Sequence, residues 1–191
     1  HPIKVLLVED DPAQLDVLQA NLAEAETARF DLTPAEALKA AIDELERTRF
    51  DVVLLDLGLP DSQGLGTLAA VHRTAPRVPI VVLTGHADEA LAVRAAQTGA
   101  QDYLVKGLVD NQALVRSIRY AIERKRGEEA LRQSEERLRF ALAAARMGIW
   151  EWQVAEDHLT LSAELVDLLG VDRARWSGTF ADFLARVHPD D

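Results

Sequence analysis

The sequence predicts an α/β fold. It reads as a doubly wound parallel sheet of the (βα)5 kind, then a long helix, then a smaller, partial α+β segment. Three observations predict this. Aliphatic runs such as Val52-Val53-Leu54-Leu55 and Ile80-Val81-Val82-Leu83 lack the in/out alternation of a strand with one wet face. Each run is followed by apolar residues at helical spacing, the rhythm of a parallel sheet covered on both sides. From residue 110 to about 147 the chain has no proline and a single glycine, Gly127, so it reads as one helix of about 55 Å.

The elements follow in order. Ile3-Lys4-Val5-Leu6-Leu7-Val8 is the first strand and ends in acids. Leu15, Leu18 and Leu22 mark the first helix, a weak strand lies near Phe30-Leu32, and Leu38, Ile42 and Leu45 mark the second helix. Residues 51–56 are the next strand, followed by a Gly/Pro-rich loop and a helix over 65–72. Residues 79–84 form a strand, 87–97 a helix and 102–105 the last strand. In the long helix, Leu114, Ile118 and Ile122 form a stripe that should pack on the sheet. Leu131, Leu138 and Ala145 recur at a spacing of seven with Leu142 beside them. A short coiled-coil seam and a solvated helical linker both account for that pattern. Residues 148–154 and 158–162 read as strands, 165–169 as a helix ended by Gly170, and Phe180, Phe183 and Leu184 as another helix. Trp150 and Trp152 alternate along their strand, and at most one is expected to face the core.

Composition narrows the function classes. The 191 residues are 48% hydrophobic and 28% charged, which suits a chain with a real core and argues against bulk disorder. The net charge of -11 is spread along the chain, with no basic region, so no nucleic-acid partner is expected. With no cysteine there are no disulfides, thiolate metal sites or catalytic thiols, which fits a reducing, cytoplasmic setting. No apolar run approaches the ~20 residues needed to cross a bilayer, so no membrane segment is expected. The opening His1-Pro2 lacks an initiating Met, reads as a processing or expression scar, and carries no element. The histidines show no metal-ligand spacing. Gln63-Gly64-Leu65-Gly66 reads as a turn and helix start, because it does not directly follow a strand and lacks a third glycine.

The chemistry lies at the strand ends. Glu9-Asp10-Asp11, Asp56, Thr84 and Lys106 each stand at or just after the C-terminal end of an apolar strand. In an open parallel sheet those ends share one crevice, which is where ligands bind. Carboxylates brought together repel, and a hard divalent cation relieves them; Mg²⁺ accepts a few carboxylates plus phosphate oxygens. Lys106 supplies a point charge for phosphate and Thr84 a hydroxyl. The set suggests phosphoryl transfer onto a carboxylate, with Asp56 as acceptor and the first strand's acids as metal ligands.

These residues carry a resemblance. Val8-Glu9-Asp10-Asp11, Leu55-Asp56-Leu57-Gly58-Leu59-Pro60-Asp61, Leu83-Thr84-Gly85 and Asp102-Tyr103-Leu104-Val105-Lys106 occur in that order. Residues 3–125 resemble a receiver domain of the response regulators of bacterial two-component systems. The resemblance implies a flavodoxin-like sheet, an Asp56 phosphoacceptor, and Mg²⁺ held by Glu9, Asp10, Asp56 and the Gly58 carbonyl. It implies that Thr84 and Lys106 contact the phosphoryl group and that Tyr103 is a switch aromatic coupled to Thr84. Asp10-Asp11 is an alternative acidic pair; the position of Leu15 in the helix stripe favours Glu9-Asp10. Receivers commonly have proline after the lysine, joined by a cis bond. Here Gly107 follows, so the bond is either trans or a strained cis.

A second resemblance covers the rest. Residues 134–139, then Gly148-Ile149-Trp150-Glu151-Trp152, then Val187-His188-Pro189-Asp190-Asp191, resemble a helical linker leading into the first half of a PAS domain. The expected organisation is a receiver over 3–125, a coiled-coil-like linker over 126–147 and an incomplete PAS-like segment over 148–191. An output domain is expected beyond Asp191. The implied partners are a histidine kinase or phosphotransfer protein and a second copy of the chain, docked through the long helix. No turnover of an external substrate is expected. Two other classes remain in view. A metal-dependent hydrolase with an aspartyl nucleophile would want an acid two residues after Asp56, where Gly58 stands. A DNA-binding regulator would want a basic helix-turn-helix after Lys106, which is missing.

Overall fold

The computed structural model describes residues 1–25, 28–85, 88–172 and 175–187. The expected helix start at Ala87, and His86 and the 188–191 segment, lie outside the described residues. The chain forms two compact units, His1–Glu129 and Ala130–Asp191.

The first unit begins with β1 (Ile3–Val8), α1 (Pro12–Ala23), β2 (Phe30–Ala35), α2 (Leu38–Arg47) and β3 (Val52–Asp56). A small hairpin, β4 (Gly58–Leu59) and β5 (Ser62–Gln63), follows. The unit continues with α3 (Leu65–Thr74), β6 (Ile80–Thr84), α4 (Glu89–Thr98) and β7 (Asp102–Val105). The last helix, α5 (Asn111–Ala145), runs on into the second unit.

Five strands pair in parallel in the order β2-β1-β3-β6-β7. Strand residues alternate between two apolar layers, so every central strand is buried on both sides. Leu6, Val8, Val53, Leu55, Ile80 and Val82 pack with Ala41 of α2, Leu68 and Val71 of α3, and Ala95 of α4. On the other face Val5, Leu7, Val52, Leu54, Val81 and Leu83 pack with Leu15, Leu18 and Leu22 of α1. Leu114, Ile118 and Ile122 of α5 complete that layer, as their spacing predicts.

Two local readings change. The weak strand near Phe30 extends to Ala35 through Pro34. This strand is at the sheet edge, where a proline's missing N–H removes no ladder bond. The stretch after Asp56, expected to be loop, forms the β4–β5 hairpin, anchored by buried Leu57 and Leu59. At its tip Asp61 accepts hydrogen bonds from the backbone N–H of Leu38 (2.8 Å) and Lys39 (3.0 Å). These are among the first amides of α2, whose own N-cap residue, Ala37, has no side chain to cap them.

In the second unit, β8 (Trp150–Gln153) and β9 (His158–Leu161) form an antiparallel hairpin. Helices α6 (Ala163–Leu169) and α7 (Phe180–Leu184) follow. Ser162 caps α6 through its hydroxyl, and Gly170 closes it in the left-handed conformation. Gly148 is required where it stands, since a Cβ there would collide with Leu165. Trp150 is half exposed and Trp152 partly buried, so at most one of the two faces a core, as expected. Residues two apart share a strand face, and both indoles reach α7. Trp152 stacks on Phe180 at 4.2 Å and Trp150 lies 6.0 Å from Phe183. The buried residues of α5 all lie between Leu114 and Ile122; Leu131 and Leu138 are more than half exposed.

Two outcomes are expected in urea melts. Ile118→Ala, which opens a void between α5 and the sheet, should destabilise the first unit by about 2–5 kcal/mol, whereas Val93→Ala on the exposed side of α4 should change it by less than about 0.5 kcal/mol. The second concerns pH. The Lys39 and Leu38 amides hold the Asp61 carboxyl below the usual carboxylate range. Its contribution is therefore complete above the ordinary Asp value of about 3.9 and is lost as pH falls through the depressed one. The stability gap between wild type and Asp61→Asn should stay constant near neutrality and close in acid.

Candidate functional site

Each predicted site residue is placed by a strand end. Glu9 follows β1 directly, its N–H bonded to the Ala35 carbonyl at 3.0 Å. Asp56 is the last residue of β3 and Thr84 the last of β6. Lys106 follows β7, and its N–H donates to the Thr84 carbonyl at 2.7 Å, which sets those two residues side by side. The β1/β3 pair is where the strand order reverses, and it carries Glu9 and Asp56.

Glu9, Asp10 and Asp56 each offer a carboxylate oxygen, all within 4.8 Å of one another. Glu9 is 1% exposed, Asp56 is partly buried and Asp10 is exposed. The Lys106 ammonium lies 2.5 Å from Glu9 Oε2 and 2.6 Å from Asp56 Oδ2. Burial pushes the Glu9 carboxyl above the usual range, and the nearby Asp56 charge adds to this against the pull of Lys106. Burial opposes the Lys106 charge, but its two carboxylate partners outweigh that and raise it overall. Asp56 Oδ1 also accepts the Gly58 N–H at 3.1 Å.

Asp10 and Asp11 are placed differently. Asp11 is the N-cap of α1, accepting the Ala13 N–H at 2.9 Å, with Pro12 opening the helix. Asp10 lies with Glu9 and Asp56. The Lys106–Gly107 peptide is trans, and Gly107 turns the chain at φ +78°, a conformation that strains other residues. Tyr103 is half-buried on the sheet face covered by α2, α3 and α4. Its register partner is Val82, two residues before Thr84, so Tyr103 and Thr84 belong to the same face.

The donor set can be tested against a cation on its own chemistry. It is all oxygen, two of its three members are drawn out of bulk water, and among the described residues no histidine joins them. This is the environment of a hard divalent ion. A lysine already bridging two of the carboxylates shows that positive charge is favoured there.

Two contacts escaped the sequence reading. Asp61 caps α2 from 22 and 23 residues away, and Ser117 of α5 donates to Asp102 at 2.5 Å. The first left one trace, a helix start at Leu38 with no Ser, Thr, Asp or Asn at its N-cap.

The transcriptional regulatory protein ZraR of Escherichia coli (strain K12) is 31% identical over 106 residues, covering 56% of this chain and 23% of that protein. The transcriptional regulatory protein BasR of the same organism is 34% identical over 104 residues, covering 54% and 46%. This chain thus spans less than half the length of either relative. Among solved structures, the signal receiver domain of an HD domain-containing protein from Pseudomonas fluorescens Pf-5 superposes with a TM-score of 0.60 at 28% identity, covering 68% of this chain and 93% of that one. A CheY-like receiver domain protein from Methanospirillum hungatei JF-1 gives 0.59 at 25% identity, covering 67% and 99%. Residues 5–119 match the response regulator receiver domain, and by that match this chain belongs to the receiver family.

Proposed function

We propose that this chain is the phosphoacceptor module of a two-component pathway. A histidine kinase or phosphotransfer protein donates a phosphoryl group to Asp56, and α5 carries the consequence onward. The observation that carries the reading is the meeting of Glu9, Asp10 and Asp56 within 4.8 Å, bridged by Lys106, in a receiver-family chain.

The roles follow from position. An Asp56 carboxylate oxygen attacks phosphorus, the bond from phosphorus to the donor nitrogen breaks, and the imidazole leaves with that electron pair and takes a proton from water. Glu9, Asp10, Asp56 and the Gly58 carbonyl would hold Mg²⁺, which when bound neutralises charge on the phosphoryl oxygens. Lys106 moves its charge from the Asp56 carboxylate to the phosphoryl oxygens placed there, and Thr84 donates its hydroxyl to another. Tyr103, on the same sheet face as Thr84, follows that hydroxyl and alters the surface around α4, β7 and α5. Gly58 offers no acid two residues after Asp56, so the site lacks the proton donor for rapid hydrolytic turnover. This favours a phosphoacceptor over a hydrolase.

The organisation proposed is a receiver over 3–125, a helical linker over 126–147 and the first part of a PAS-like segment over 148–191. The exposed Leu131 and Leu138 would pair two copies through α5. Among the described residues no helix is long and apolar enough to cross a membrane. The absence of cysteine suits a cytoplasmic setting.

Two measurements test this reading. Incubation with Mg²⁺ and acetyl phosphate should label wild type with acid-labile phosphate, and Asp56→Asn should abolish the label; equal labelling of the variant refutes the assignment. Light scattering should find wild type dimeric and Leu131→Glu/Leu138→Glu monomeric, and a monomeric wild type would remove the proposed dimer.

A further inference from the structure

We infer that Asp61 is a positioning residue for the metal-binding loop, acting through the N-terminus of α2. The inference rests on the phosphoacceptor reading above and assigns Asp61 a part in it.

The hairpin β4–β5 has its base at the site. Its first residue is Gly58, whose N–H binds Asp56 Oδ1 at 3.1 Å and whose carbonyl is the proposed metal ligand. Only two ladder pairs, Gly58 with Gln63 and Leu59 with Ser62, form the hairpin itself. So short a ribbon does not hold its own shape in water and must be fixed from outside. At its base the Gly64 N–H binds the Leu57 carbonyl at 2.7 Å, and Thr67 of α3 donates to the Ser62 hydroxyl at 2.8 Å. The first closes the base of the hairpin beside the N-cap of α3, and the second ties β5 to α3. At the tip, Asp61 uses one carboxylate oxygen for the Leu38 N–H and the other for the Lys39 N–H.

This arrangement has two mutually dependent halves. Ala37 leaves the first turn of α2 without a local cap, so α2 takes Asp61 as its acceptor. The carboxylate charge also meets the positive end of the helix. In return, a packed helix holds the tip of a ribbon whose other end is the Asp56–Gly58 segment. Partners just outside a metal's ligands orient those ligands, and their loss typically weakens metal affinity by ten- to a hundredfold. Asp61 acts through the hairpin, so the lower end applies.

The test separates positioning from capping. Mg²⁺ affinity of the full chain is measured by calorimetry for wild type, Asp61→Ala, Asp61→Asn and Asp61→Ala/Ala37→Ser. The last variant gives α2 a local hydroxyl cap while leaving the hairpin tip untethered. Asp61→Ala should bind Mg²⁺ about tenfold more weakly and melt at a lower temperature. Asp61→Asn, which keeps one acceptor oxygen, should fall between. The double variant should regain thermal stability without regaining Mg²⁺ affinity. If Asp61→Ala melts lower but binds Mg²⁺ within twofold of wild type, or if the serine cap restores both, Asp61 is only a helix cap and the inference fails. Should Asp61→Ala not fold, Asp61→Asn and the double variant decide by the same criteria. A wild type that does not bind Mg²⁺ at all would instead sink the phosphoacceptor reading itself.

Discussion

Glu9 and Asp56 come from neighbouring strands and end at the same edge of the sheet, where one is buried and the other nearly so. Two carboxylates that close cannot both be charged without a cation between them. Lys106 answers that constraint, with its ammonium 2.5 Å from one carboxylate and 2.6 Å from the other. The site is therefore built around a positive charge. A hard divalent ion held by Glu9, Asp10, Asp56 and the Gly58 carbonyl would meet the same demand, and a phosphoryl group on Asp56 would give the ammonium new oxygens to bind. Acidity and lysine form one device, since each would be costly to bury without the other.

The sheet makes this juxtaposition unavoidable. Residues at the ends of β1, β3, β6 and β7 are far apart in sequence and adjacent in space because the strands are parallel and in register. Alternate strand residues anchor to α2, α3 and α4 on one side and to α1 and α5 on the other. A slip of one residue would exchange the two layers and turn the terminal side chains to the wrong face. The core thus does more than stabilise the unit: it sets which way Thr84 and Tyr103 point. The same packing ties α5 to the sheet only as far as Ile122, and beyond it the helix carries exposed leucines.

Much of this was legible in the sequence because its signals are local. Unbroken aliphatic runs identified the central strands, leucine spacing identified α1, and the lack of proline and the Leu114, Ile118, Ile122 stripe identified α5. The polar residues Glu9, Asp10 and Asp56 at the run ends are ones the sheet brings together. The parts that were not legible depend on distant partners. The edge strand expected near Phe30 runs on through Pro34 to Ala35, an extension that only its place in the sheet permits. The hairpin after Asp56 is too short to announce itself, and Asp61 looked like an ordinary turn residue because the amides it caps lie 22 and 23 positions earlier. The sequence left Asp10-Asp11 open as an alternative to Glu9-Asp10, and in the structure the Asp11 carboxylate accepts the Ala13 N–H as the cap of α1. Gly107 departed from the proline usual in receivers, and a trans peptide with positive φ accommodates it.

Asp56, among several acids at these strand ends, is the carboxylate proposed to form a covalent bond to phosphorus. The most direct measurement reads that bond chemically. After treatment with phosphodonor and Mg²⁺, borohydride reduces an aspartyl phosphate to homoserine, and peptide mass mapping shows where it lies. Phosphorylation on Asp56 gives homoserine at position 56 alone. Homoserine at position 10, 11 or 61, or none at all under conditions where phosphate is incorporated, would contradict it.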